Sequence, residues 1–159
     1  MIALSANRAM GTRVLIAEDH LDSARGIGLL LRLYGYEVTI VTDGRDAVRA
    51  AAWFAPQAAL IDLTLPGLDG FDVAMQLRAL TVTSTCRLIA MTGWTAEEYF
   101  VRARAAGFDE HLVKPISADA LLEALATIPA TEQPASPRPN EQRPSRPDRI
   151  EVQGTARFP

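Results

Sequence analysis

Between Arg13 and Ile128 short apolar runs alternate with longer amphipathic stretches. The runs RVLIA (13–17), YEVTI (36–40), AALI (58–61), RLIAM (87–91) and DEHLV (109–113) are aliphatic or β-branched and bounded by turn formers, which predicts five strands. After the first run, Ala24, Ile27, Leu30, Leu31 and Tyr34 recur at steps of three and four, one apolar stripe of a helix, and Gly35 stands where a C-terminal cap belongs. Gly26 and Gly28 oppose this helix by about 1 kcal/mol each relative to alanine, but the stripe outlasts them. Further helices are predicted near 44–54, 69–80, 95–105 and 117–127, the last with Ser117 as its N-cap. Trp53 and Phe54, which close the helix at 44–54 before Pro56, are expected at the edge of the core rather than against a cofactor.

Strands separated by helices pair in parallel, because each crossover returns the chain to the same end of the sheet, and the helices then cover both faces. The predicted fold is therefore α/β, a doubly wound five-stranded parallel sheet. In such sheets the ligand crevice lies beyond the carboxyl ends of the strands, so chemistry is to be sought in the residues that follow each run.

Composition divides the chain into three parts. Residues 13–128 form the folded domain, 1–12 precede it, and from Pro129 to Pro159 seven of the ten prolines alternate with Arg, Glu, Gln and Ser, which predicts a disordered proline-rich tail, read as a spacer or remnant rather than a ligand motif. With 48% hydrophobic and 22% charged residues, the rest can bury a core. Sixteen basic residues against nineteen acidic give a net charge of -3, and about -4 once the tail is set aside, so direct nucleic-acid binding is not expected. The lone Cys86 excludes an internal disulfide, no Cys/His cluster offers a zinc site, and the longest apolar run, Ala50 to Ala55, is far below the roughly 18 residues of a membrane span. The opening MIALSANRAM is too short an apolar stretch for a secretory signal; a cytoplasmic location without membrane association is the expectation.

Polar groups stand at four of the five strand ends: Glu18 and Asp19 after the first, Asp62 after the third, Thr92 after the fourth, Lys114 followed by Pro115 after the fifth. Any one of them alone would be an ordinary turn or capping residue. Together they describe a site. Three carboxylates at one edge repel one another unless a cation neutralises them, and oxygen donors suit Mg²⁺, which takes one or two carboxylates and leaves positions open for phosphate oxygens. A hydroxyl and an ammonium across the crevice would serve those same oxygens.

The residues VLIAEDH, LIDLTLPGLDG, IAMTGW and HLVKP, in this order and spacing, resemble a response regulator receiver domain over residues 13 to about 127. The resemblance implies a flavodoxin-like (βα)5 fold with strand order 2-1-3-4-5. It implies that Asp62 takes a phosphoryl group from a phosphohistidine on a sensor histidine kinase or histidine phosphotransfer protein. Asp19, Asp62 and the backbone carbonyl of Thr64 match the magnesium ligands, and Glu18 the acid that acts through water. Thr92 matches the hydroxyl that moves toward the new phosphoryl group, Lys114 the ammonium that pairs with it, and Pro115 a proline usually preceded by a cis peptide. Gly67 and Gly70 serve the turn after Asp62.

Receivers often carry an aromatic residue three positions before the lysine, whose ring turns inward as the threonine moves. His111 stands there and is read as a strand-end histidine half-filling that pocket, with a pH-sensing switch as the less favoured alternative. Trp94, two positions after Thr92, has two open readings: a shield that keeps water from the phosphoryl group, or an exposed partner contact. No output domain follows the last predicted helix, so output is expected through a downstream protein partner or a phosphorelay; GYEVTIVTDGRDAV and GFDEHLVKP resemble receivers attached to hybrid sensor kinases. Self-phosphorylation and autodephosphorylation are the only reactions expected. The competing readings are a phosphorylation-independent scaffold and a magnesium-dependent phosphohydrolase of the haloacid dehalogenase type, whose two-apart aspartates after the first strand AEDH does not match.

Overall fold

A computed structural model describes residues 10–128. Five strands, β1 (Arg13–Ala17), β2 (Glu37–Val41), β3 (Ala58–Asp62), β4 (Arg87–Thr92) and β5 (Glu110–Val113), form one sheet in the order β2-β1-β3-β4-β5. Every pairing is parallel. Five α-helices connect and follow them: α1 (Leu21–Leu33), α2 (Gly44–Phe54), α3 (Gly70–Ala79), α4 (Glu97–Ala106) and α5 (Ala118–Ala126). A short 3-10 turn at Thr81–Thr83, not foreseen from sequence, ends the connection from α3. The doubly wound sheet and its strand order are those expected. Predicted ends differ by a residue or two, most at α4, which starts at Glu97 rather than near 95. All but three residues of the expected N-terminal extension, and the whole tail 129–159, lie outside the described residues.

Alternation along the strands sends side chains to two cores. Val14, Ile16, Ala58, Leu60, Ile89 and Met91 pack under α1 and α5 against Ala24, Leu31, Leu121 and Leu125. Leu15, Ala17, Ala59, Ile61, Leu88 and Ala90 pack on the opposite face against Ala47 and Ala51 of α2, Phe71 and Leu77 of α3, and Ala103 of α4. All five residues of β3 are buried, which is why that run reads as continuous rather than alternating apolar sequence.

The glycines of α1 have different reasons. Gly28 is buried, and a β-carbon there would come within 2.9 Å of Ile40 Cδ1, so the helix lies close on β2. Gly26 has open space around it, and nothing in the structure explains it. Gly35 adopts φ +89° and ends the helix with paired bonds: its N–H donates to Arg32 O and that of Tyr36 to Leu31 O, satisfying carbonyls the helix leaves over. Trp53 departs from expectation. It is 70% exposed, because the buried stripe of α2 runs through Ala47, Ala50 and Ala51 and leaves Trp53 on its flank, in a T-shaped contact with Phe54.

Candidate functional site

Register brings the strand ends level. Ala17 lies opposite both Val41 and Ile61, Asp62 opposite Met91, and Thr92 opposite Val113, so Glu18, Asp62, Thr92 and Lys114 emerge at one edge of the sheet. Backbone bonds fasten these ends: Glu18 N–H to Val41 O, Leu63 N–H to Met91 O at 3.1 Å, and Lys114 N–H to Thr92 O at 2.8 Å. The loop after β3 is held just as closely. Gly70 packs against the Asp62 carbonyl, where a β-carbon would lie 2.4 Å from the oxygen, and Gly67 adopts φ +79°.

Asp62 is 4% exposed, and both of its carboxylate oxygens are engaged. Oδ1 accepts from the Thr64 N–H at 2.7 Å and the Thr64 hydroxyl at 2.8 Å. Oδ2 accepts from the Lys114 ammonium, which also donates to Glu18 Oε2 at 2.6 Å. Burial alone would raise the Asp62 carboxyl, but the bonds from Lys114 and Thr64 outweigh it and hold the group below the usual carboxylate range. Burial would likewise favour a neutral Lys114, yet its bonds to Asp62 and Glu18 keep the ammonium charged beyond its ordinary range.

Glu18, Asp19 and Asp62 each place a carboxylate oxygen within 4.8 Å of the others, the first and last buried and Asp19 exposed. Three carboxylates against the single ammonium of Lys114 leave the cluster two negative charges in excess. An all-oxygen, net anionic set open to solvent on the Asp19 side fits a hard divalent cation. Thr92 completes the edge, 2% exposed, its hydroxyl accepting the Trp94 N–H at 2.9 Å. Glu18, Asp19, Asp62 and Lys114 thus meet in one cluster, Thr92 emerges at the same sheet edge, and Thr64 reaches Asp62 through its N–H and hydroxyl, the groups other than the carbonyl expected to hold the metal.

A five-stranded sheet of this order with an acidic cluster, a hydroxyl and a lysine at its carboxyl edge has known counterparts. The family model for the response regulator receiver domain matches residues 14–126. This chain belongs to the response regulator receiver family. Sensory transduction protein RegX3 of Mycobacterium bovis is 37% identical over 117 residues, which cover 74% of this chain and 50% of the relative. Transcriptional regulatory protein PdtaR of Mycobacterium tuberculosis is 32% identical over 121 residues, 76% of this chain and 58% of the relative. The receiver thus spans about half the length of the curated relatives it matches. Among solved structures, the receiver domain of a Pseudomonas aeruginosa PAO1 sensor histidine kinase, with a magnesium ion in its active-site cleft, superimposes with a TM-score of 0.69 at 32% identity, covering 74% of this chain and 97% of that one. Chemotaxis protein CheY4 of Vibrio cholerae gives 0.71 at 27% identity, covering 76% and 99%.

The residues around the receiver's site are less uniform. The Lys114–Pro115 peptide is cis. His111 is exposed, its ring stacked on Phe100 with centroids 4.0 Å apart. It therefore sits on the outer side of β5, against α4, rather than half-filling an inner pocket. Trp94 is 36% exposed and stacks on Tyr99 of α4, centroids 4.3 Å apart and planes at 27°. Neither reading of Trp94 foresaw this contact, nor did sequence reasoning single out Tyr99 or the Thr64 hydroxyl. The adjacent aromatics Tyr99 and Phe100, five and six positions after Trp94, were the available signal. Cys86 is no reactive thiol: burial pushes it up to about 12.

Proposed function

We propose that Asp62 accepts a phosphoryl group from a phosphohistidine on a sensor histidine kinase or histidine phosphotransfer protein, and that the phosphorylated receiver signals by binding a downstream protein or passing the group on. The observation that carries this reading is the Asp62 carboxylate itself: buried, ionised, held by Thr64 and Lys114, and within 4.8 Å of two further acids. An Asp62 oxygen attacks phosphorus, the phosphorus–nitrogen bond of the donor breaks, and the imidazole nitrogen leaves with the bonding pair. Lys114, on a flexible four-carbon stem, transfers its hydrogen bond from Asp62 to a phosphoryl oxygen, while Thr92 turns its hydroxyl to another.

Asp19, Asp62 and the Thr64 carbonyl are the proposed direct ligands of Mg²⁺, with Glu18 acting through water. When bound, the ion would offset the charge that gathers on the phosphoryl oxygens. The chain positions and neutralises, with no acid–base residue needed and no turnover of outside substrates beyond its own phosphorylation and dephosphorylation. The excess of acids in the folded part argues against direct nucleic-acid contact. Among the described residues no helix is long and apolar enough to cross a membrane, which supports a cytoplasmic reading.

Incubation with acetyl phosphate and Mg²⁺, read by intact mass, tests the assignment. The chain gains one phosphoryl mass and Asp62→Asn gains none. Full labelling of Asp62→Asn, or turnover of an added phosphomonoester, would overturn it.

A further inference from the structure

His111 lies opposite Ala90 in the sheet, exposed, with its face occupied by Phe100. The group in direct contact with the Thr92 hydroxyl is the Trp94 N–H, at 2.9 Å, and the Trp94 ring in turn lies on Tyr99. We infer that Trp94 and Tyr99, not His111, couple Thr92 to α4, their stacked rings carrying the state of Asp62 into the first turn of that helix. The inference rests on the reading of Asp62 as the phosphoryl acceptor.

The hydroxyl of a threonine moves between discrete rotamers, so turning it toward a phosphoryl oxygen takes it out of line with the Trp94 N–H. That amide must then find another acceptor, and the loop has room to move: a β-carbon at Gly93 would meet nothing within 4 Å. Where the loop goes, the indole goes, and with it Tyr99.

Helix α4 is built to respond at this end. Side chains cap the other four α-helices: His20, Asp43, Asp69 and Ser117 accept bonds from first-turn amides. The N-cap of α4 is Ala96, which offers none, so its first turn lacks this local anchor. The helix buries only Ala103 and Ala106, both in its second half. That half is pinned, with the Arg102 guanidinium 3.9 Å above the Phe71 ring and 3.6 Å from Asp69 Oδ2 at the start of α3. Tyr99, partly buried against the core and stacked on Trp94, and Phe100, stacked on His111, are thus the contacts that hold the free end, and only Tyr99 links it to the loop after Thr92. Displacing it pivots the first turn about Arg102 and shifts Glu97, Phe100 and the 64%-exposed Val101 on the outer surface.

The test combines intact mass with hydrogen exchange over residues 95–106, with acetyl phosphate and Mg²⁺ as the donor mixture. In the parent chain phosphorylation raises exchange of this segment several-fold. Tyr99→Leu takes up the same mass, but its segment exchanges fast before phosphorylation and gains nothing from it, whereas Tyr99→Phe, which keeps the ring, responds like the parent. His111→Ala also responds like the parent. A parent-like response in Tyr99→Leu, or its loss in His111→Ala alone, would overturn the inference. Full mass gain in the parent without any change in exchange would overturn it while leaving Asp62 as acceptor; absence of mass gain would overturn both. Trp94 emission in a Trp53→Phe chain gives a second readout, shifting on phosphorylation with Tyr99 present and unchanged if the stack plays no part.

Discussion

The ammonium of Lys114 lies 2.6 Å from Oε2 of Glu18, a residue 96 positions earlier in the chain and only 1% exposed. β5, which leads to Lys114, is separated in the sheet from β1, which leads to Glu18, by β3 and β4. The two meet only because both strand ends open on one crevice, where the lysine also reaches Asp62. A buried carboxylate without such a partner would lose its hydration for nothing in return.

Lys114→Ala should therefore lower stability by about 1–3 kcal/mol, the range for leaving a buried polar partner unsatisfied. The same variant should gain more from Mg²⁺ than the parent does, since the ion then meets three carboxylates with no competing ammonium. Thermal denaturation with and without Mg²⁺ checks both. An equal or smaller magnesium shift in the variant would contradict the competition.

The ionic cluster sets a pH dependence. Asp62 is held below its ordinary value of 3.8 because the bonds from Lys114 and Thr64 outweigh burial, which acts in the opposite sense. A group lowered by folding contributes stability that is complete above about pH 4 and lost as the pH falls through the folded value. Lys114 is raised from 10.5, so its contribution is complete below that value and lost only as the pH climbs past it. Urea midpoints of the parent and Asp62→Asn should differ by a constant amount from about pH 6 to about pH 9 and move against the parent as the pH falls from about 4 to about 2. A difference that stays flat through the acid range would show that folding does not lower Asp62.

Two glycines in helices should respond with opposite signs. Gly26→Ala should stabilise by about 0.5–1 kcal/mol, because the new methyl meets nothing and the unfolded chain loses freedom. Gly44→Ala should destabilise by about 1–3 kcal/mol, since its β-carbon would lie 2.0 Å from the Leu68 carbonyl oxygen in the loop after Asp62. Chemical denaturation of both variants decides; a stabilised Gly44→Ala would mean that this loop does not rest on α2.

Arg78 ties α3 to the strand starts. Its guanidinium donates to the carbonyl oxygens of Gly107, Cys86 and Ser84 and to Asp109, whose Oδ2 also accepts the Leu88 N–H at 2.8 Å. Arg78→Ala should cost about 2–3 kcal/mol, and Arg78→Lys should recover less than half, because an ammonium lacks the planar fork. Equal stability of the lysine variant and the parent would show that charge alone suffices.

Elements whose apolar period was plain were legible in the sequence. The α2 span 44–54 and the β1 span 13–17 coincide with the structure, because a helix that buries one face repeats its apolar residues at the helical period, while a central strand buried on both faces is a short continuous apolar run with turn residues after it. Helix α4 was misplaced by two residues at its start, since two alanines bury its inner face and no capping side chain marks where it begins. The carboxylates, hydroxyl and lysine of the site were legible for a related reason: in a parallel sheet every strand end faces the same way, so position after a run already means position in the crevice.

Side-chain direction was not legible. Nothing in HLVKP says that the His111 ring turns outward to Phe100, or that the Trp94 ring finds Tyr99. Those choices depend on where α4 lies over the sheet, which is set by contacts such as that of Arg102 with Phe71, between residues 31 positions apart.

The sequence by itself determined the alternation of strands and helices, and hence which residues stand at the carboxyl edge, because hydrophobic period and chain direction are local properties. Only the tertiary structure decided which groups within that edge touch: Lys114 divided between Glu18 and Asp62, Thr64 doubly bonded to Asp62, Thr92 tied to Trp94. Hydrogen bonds act over about 3 Å, so they depend on strand register and helix placement, which arise from packing the whole chain at once.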